Sequence, residues 1–234
     1  MSTAEAGFTA KLGALARKDL RVETRGRDTL PPMLAFSLAV VLVLAFTVPE
    51  EGALDDEVLG NVLAGFLWVT ILFAGLIGFA RTFEVEREEG AIDALLLVPL
   101  DRSGLFLAKA VANLFFILLV EVLIVPIFVL LFDLDVGSWP LLVLVLVLGD
   151  LGFVTIGTLF SSIAAQTRSR ELILPLLALP ALVPVFIAGV ELTADLFAGA
   201  GLGEIAERGW FGILIAFDLL FGIVGSLIFE YAID

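Results

Sequence analysis

Three carboxyl side chains stand where charge is least expected. Glu121, Asp150 and Asp218 each interrupt an otherwise uncharged apolar stretch, respectively Ala110 to Phe132, Leu141 to Ala165 and Gly209 to Phe229. Each acid is near the middle of its stretch, so a helix rising about 1.5 Å per residue would carry it to within a few ångströms of a bilayer midplane. At that depth a carboxylate costs about 2.5 to 3.5 kcal/mol on insertion scales, and all three must face the bundle interior, a partner or water rather than lipid. No Lys or Arg shares that depth. Two kinds of chemistry remain open. Protonated carboxyls can donate hydrogen bonds across helices to Asn113, Thr155 or Thr158, or the acids can form a polar track for cargo or for another membrane subunit.

Composition removes most other chemistry. The 234 residues include no His and no Cys, which excludes Ser-His-Asp triads, thiol nucleophiles, HExxH zinc sites, disulfides and the usual axial haem ligands. Thirteen Lys+Arg against 27 Asp+Glu leave a net charge of −14, unsuited to a run of nucleic-acid phosphates. An intramembrane aspartyl enzyme built on Asp150 and Asp218 is a remote alternative. Such enzymes carry motifs of the GxGD type, whereas Gly149-Asp150-Leu151-Gly152 spaces its glycines differently and Asp218 lies in Phe217-Asp218-Leu219. No G-x-x-x-x-G-K-[ST] occurs either. Any ATP must be hydrolysed by another polypeptide.

The elements that position the acids follow from hydropathy. With 60% hydrophobic residues and a mean hydropathy of +1.11, the chain reads as an all-α integral membrane protein. Six spans are expected at about 29–49, 58–80, 105–132, 141–165, 172–190 and 209–229, forming one transmembrane domain over 29–230 behind a cytoplasmic N-terminal tail, 1–28. Lys11, Arg17, Lys18, Arg21, Arg25 and Arg27 precede the first span; Arg81, Arg87, Arg102, Lys109, Arg168 and Arg170 fall in or beside the even-numbered connections. Only Arg208 falls in an odd one. Both termini are therefore expected in the cytoplasm of a cell membrane, with Trp139 and Trp210 opening their spans at the outer headgroups. The first span, preceded by a long mixed segment, is not a cleaved signal peptide.

The odd connections are strongly acidic, from Glu50, Glu51, Asp55, Asp56 and Glu57 through Asp133 and Asp135 to Glu191, Asp195, Glu204 and Glu207. High salt screens such repulsion within a few ångströms, so a halophilic prokaryote is the expected source, with a surface for a basic partner as the rival. Pro126, and more severely Pro175, Pro180 and Pro184, are expected to kink or break their spans. Glycine pairs at 75 and 78, 149 and 152, and 222 and 225 mark close helix approaches.

The connection from Arg81 to Gly104 is long for neighbouring spans and should have structure of its own. Charges cluster from Glu84, then Ile92, Leu95 and Leu96 fall at i, i+3 and i+4 before Pro99. This is the pattern of a short amphipathic helix along the inner membrane surface, with Asp101 or Ser103 capping the next span. Glu84 repels Glu88, and Glu89 repels Asp93, while Arg87 offsets Glu84. A basic protein groove would suit this helix better than an anionic leaflet.

These residues also carry a resemblance. Glu86-Arg87-Glu88-Glu89-Gly90, Leu95-Leu96 and Pro99-Leu100-Asp101-Arg102 resemble the ER-x-x-G…LL…P-x-x-R pattern of ABC-2-type permeases. Arg17-Lys18-Asp19-Leu20, Leu67-Trp68-Val69, Phe73-Ala74-Gly75-Leu76, the run from Lys109 to Leu114, Leu118-Leu119-Val120-Glu121 and the run from Thr167 to Leu172 are similar to the CcmB family. The likeness spans roughly residues 15 to 190, and the last span matches it in position and hydrophobicity. It implies the membrane subunit of a haem exporter in cytochrome c maturation, paired as two copies with two ABC ATPase subunits. The charged segment would be the coupling helix. Glu84, Glu86, Arg87, Glu88, Gly90, Ile92, Leu95, Leu96 and Arg102, with Arg168, Arg170 and Glu171 from the next cytoplasmic connection, would then contact the ATPase. ATP and Mg would be held by that partner, and this chain would hold no cofactor or metal. Lacking evident haem ligands, it would hand work to a haem-handling membrane partner. Glu121, within the family-like run, becomes the foremost functional candidate among Glu121, Asp150, Asp218 and Asn113. The alternative is a permease of the same type exporting a lipid, polysaccharide or drug.

Overall fold

The computed structural model describes residues 8–26, 28–48, 55–83, 102–165, 167 and 170–232. Within them the protein is all-helical: α1 Phe8–Gly26, α2 Leu30–Thr47, α3 Asp56–Arg81, α4 Arg102–Leu131, α5 Trp139–Ala165, α6 Arg170–Phe197, α7 Leu202–Glu207 and α8 Trp210–Ala232. Six of these, α2 to α6 and α8, are long and apolar enough to cross a membrane. The expected amphipathic helix falls at 84–101, outside the described residues.

Two helices add to what the sequence outlines. The segment expected as a tail contains α1, whose Leu15 and Ala16 are buried against α4. Leu12, Leu15, Ala16 and Leu20 recur at helical spacing, so one face of a largely charged segment can bury apolar surface. The fifth span does not break at its prolines and does not stop at Val190; α6 is one helix through Phe197. Its buried stripe runs through Leu174, Ala178, Leu182, Val185, Ala188 and Leu192, while Pro180 and Pro184 face outward. Inward packing is thus unbroken by the rings. Pro126 likewise lies inside α4 without ending it.

The centre of the bundle is α5, which packs on α3, α4, α6 and α8. Small residues let it take aromatic side chains from α3: Gly149 faces the Trp68 ring and Gly157 faces Phe79. In return Phe153 of α5 fills the space beside Gly75. Glycines therefore admit rings here rather than bare helix backbones, and Gly222 faces open space. The outward faces are apolar as well, among them Phe46 on α2, Leu130 on α4 and Leu219 and Ile223 on α8. Hydrocarbon is the solvent that suits such faces.

At the acidic end of the bundle two connections lock together. Gly137 donates its N–H to the Leu196 carbonyl at 3.0 Å, and its Cα side abuts the Gly199 backbone too closely for a side chain. Gly199, at φ +80, supplies the left-handed turn that ends α6. Arg208 pairs with Asp195 at 2.9 Å.

Candidate functional site

The helices α4 and α5 pack as antiparallel neighbours, and their shared face holds two polar levels in an apolar wall. At the first, Glu121 and Asp150 are neighbouring carboxyls. Glu121 is 5% exposed and Asp150 fully buried. Among the described residues no donor reaches either Asp150 oxygen or Glu121 Oε1. Two ionised carboxylates would repel in such a place, whereas a proton held between them lets one acid donate to the other.

The second level lies eight residues away on both helices, from 121 to 113 and from 150 to 158, which is about 12 Å along the axis. There Asn113 Nδ2 donates to Thr158 Oγ1 at 2.9 Å, and Thr82 Oγ1 donates to Asn113 Oδ1 at 3.1 Å. Asn113 is thus engaged by threonines, and Thr155 Oγ1 donates to the Leu151 carbonyl of its own helix. The expected bonds from the midplane carboxyls to Asn113, Thr155 and Thr158 do not form. One antiparallel register explains why, since the residue opposite Glu121 is Asp150 and the residue opposite Asn113 is Thr158.

The third acid is separate. Asp218 of α8 lies against Gly152 of α5, and neither of its oxygens has a hydrogen-bond partner among the described residues. No charged group among the described residues acts on it. Asp150 takes Glu121 rather than Asp218 as its carboxyl neighbour, so the geometry does not assemble the catalytic aspartate pair of the enzyme alternative.

The second level continues to a buried cation, Lys109, which in the sequence is one of the basic residues beside a span and opens a family-like run. Lys109 is 3% exposed; its Nζ lies 3.1 Å from Asp19 Oδ2 on α1 and donates to the Thr82 carbonyl at 3.0 Å. The Asp19 contact is a charge pair rather than an aligned hydrogen bond. A signal existed in the sequence: Asp19 shares a helical face with Leu12, Leu15 and Ala16. Of the proposed ATPase contacts, Glu84, Glu86, Arg87, Glu88, Gly90, Ile92, Leu95, Leu96 and Arg168 lie outside the described residues, and Arg102, Arg170 and Glu171 are described only as the ends of α4 and α6.

An apolar groove of about 870 Å³ runs between α3 and α6 along Phe66, Trp68, Phe186 and Ile187, with Asn61 and Glu191 toward its acidic end. The Trp68 indole forms part of its floor and donates from Nε1 to Thr193 Oγ1 at 2.9 Å.

Comparison with known proteins agrees with this architecture. Residues 10–234 match the family described as CcmB protein, a match that takes in the last span as well. The chain is 34% identical over 179 residues to the Heme exporter protein B of Rhodobacter capsulatus, covering 76% of this chain and 80% of that one. To the protein of the same name from Paracoccus denitrificans it is 34% identical over 187 residues, or 80% and 84% of the two chains. The likeness to that of Bradyrhizobium diazoefficiens, at 29%, extends over 218 residues, 92% of this chain and 93% of its relative. With six apolar helices and a match from the first helix to the last residue, the chain belongs to the CcmB family.

Proposed function

We propose that this protein is the transmembrane subunit of an ABC transporter for haem export in cytochrome c maturation. The observation that carries the reading is the family match over residues 10–234, whose curated relatives bear the name Heme exporter protein B. ATP is hydrolysed by a separate subunit that holds ATP and Mg, because this chain has no phosphate-binding loop. Two copies of the chain pair with two ATPases. The segment 84–101 docks on the ATPase through Glu84, Glu86, Arg87, Glu88, Gly90, Ile92, Leu95 and Leu96, aided by Arg102, Arg168, Arg170 and Glu171. Both termini are cytoplasmic, and the acidic end faces out.

Haem itself is ligated by a partner in the membrane. Without His or Cys, this chain transmits work to that partner rather than gripping the iron. Co-expression with each ABC ATPase of the source organism, followed by purification in detergent, tests the assignment. One ATPase should co-purify, and deletion of the chain should abolish haem-stained c-type cytochromes. Failure to retain any ATPase, with cytochromes intact after deletion, overturns it.

A further inference from the structure

Three elements meet at one buried cation. Lys109, in the first turns of α4, reaches Asp19 on α1 and the Thr82 carbonyl at the end of α3, and its Nζ stands 5.3 Å from the centre of the Phe83 ring. Thr82 passes the chain of polar contacts to Asn113 on α4, and Asn113 passes it to Thr158 on α5. Asp19 uses its other oxygen on Lys18 at 3.3 Å. Thr82 and Phe83 are the residues from which the 84–101 segment departs.

An apolar cluster adjoins Lys109 among the described residues. Leu15 of α1, Phe83, Phe106 of α4, Leu159 of α5 and Phe229 of α8 form one buried cluster, with the Phe229 ring 5.2 Å from Phe106 and 6.3 Å from Phe83. An aliphatic residue at 109 would join this cluster without desolvating a charge, and buried ion pairs seldom exceed such replacements in stability. What the ammonium adds is direction. Its donor fixes the Thr82 carbonyl and its charge holds Asp19 beside it, where apolar packing alone would allow α1 to slide or rotate.

We propose that Lys109 is a positioning residue that locks the root of the 84–101 segment to α1 and, through Asn113, to the face between α4 and α5. A displacement of that segment is then delivered to α1 and α5 as a unit instead of being absorbed by bending at residues 82–83. The proposal rests on the reading that the segment receives an ATPase.

The test uses the full chain with its assembled complex and the neutral pair Asp19→Asn with Lys109→Met, which keeps size and removes both charges. Asp19→Glu serves as the conservative control, since Asp19 is partly exposed and glutamate keeps its charge. Two quantities are read: amide hydrogen exchange of residues 8–26 in detergent, and haem-stained c-type cytochrome in cells at matched protein level. The neutral pair should exchange α1 amides about tenfold faster, with α5 protection unchanged, and lower cytochrome by about the same factor. Asp19→Glu should stay near the native chain in both. If the neutral pair does not accumulate, Asp19→Asn alone is measured in the same two ways with the same direction expected. Native cytochrome in the neutral pair, or cytochrome loss with α1 protection intact, overturns the proposal. Faster α1 exchange in a chain whose native form retains no ATPase would instead sink the functional reading and uphold the anchoring of α1.

Discussion

At Glu121 and Asp150 the number of protons held decides what the pair is for. Both side chains are buried, no cation among the described residues lies beside them, and each is the other's neighbour. If they share a proton as a structural bond between α4 and α5, Glu121→Gln or Asp150→Asn supplies a permanent donor of the same shape. Thermal unfolding in detergent and cytochrome maturation should then stay near native. Alanine at either position leaves the remaining acid without its partner and should cost about 1 to 3 kcal/mol of stability. A Glu121→Gln chain present at native level yet unable to support cytochrome maturation would show that an ionised Glu121 is required. Asp218→Asn should be silent in both assays, because neither Asp218 oxygen has a hydrogen-bond partner among the described residues.

The elements are held together by rings seated in glycine notches, and Trp68 shows how closely. Its ring lies between Gly149 of α5 and Gly189 of α6, meets Phe186 edge to face at 5.5 Å, and is tied to Thr193 by its N–H. One side chain thus joins three helices by volume, ring geometry and a hydrogen bond. Gly149→Leu would place carbon where the indole stands and should destabilise by about 1 to 3 kcal/mol. Trp68→Phe alone should cost about 0.5 to 1.5 kcal/mol through the lost bond to Thr193. Combined, the two should cost less than their sum, with a coupling of about 0.5 kcal/mol or more, because the smaller ring returns space to the leucine. Strict additivity in a denaturation series would mean that the ring and the notch are not in contact.

On the scale of the whole molecule the two ends differ in charge and in construction. One end carries α1, the Lys109 network and the root of the 84–101 segment; the other carries Asp195, Arg208 and the joined connections at Gly137 and Gly199. If the basic end is cytoplasmic, a cysteine at the exposed Leu202 should react with an impermeant maleimide in intact cells, and one at the exposed Ala14 only after permeabilisation. The reverse pattern would invert the topology and remove the 84–101 segment from the compartment where ATP is available.

Hydropathy and charge placement, read along the chain, determined the class of fold, the number of spans and the position of three acids within them. These are local properties: a span needs only enough apolar length, and its period is set by its own hydrogen bonds. The family was legible too, in runs such as Lys109 to Leu114. What lies opposite what was not. Glu121 and Asn113 on α4, and Asp150 and Thr158 on α5, show equal spacing in opposite order, yet only the antiparallel register of the two helices turns that spacing into an acid pair and an amide–hydroxyl pair. The tie between Asp19 and Lys109, and the notch that takes Trp68, depend in the same way on how helices distant in sequence are rotated about their axes. That rotation is settled by the simultaneous packing of all neighbours around α5. No single segment contains it, because each helix alone would be equally stable in any azimuth.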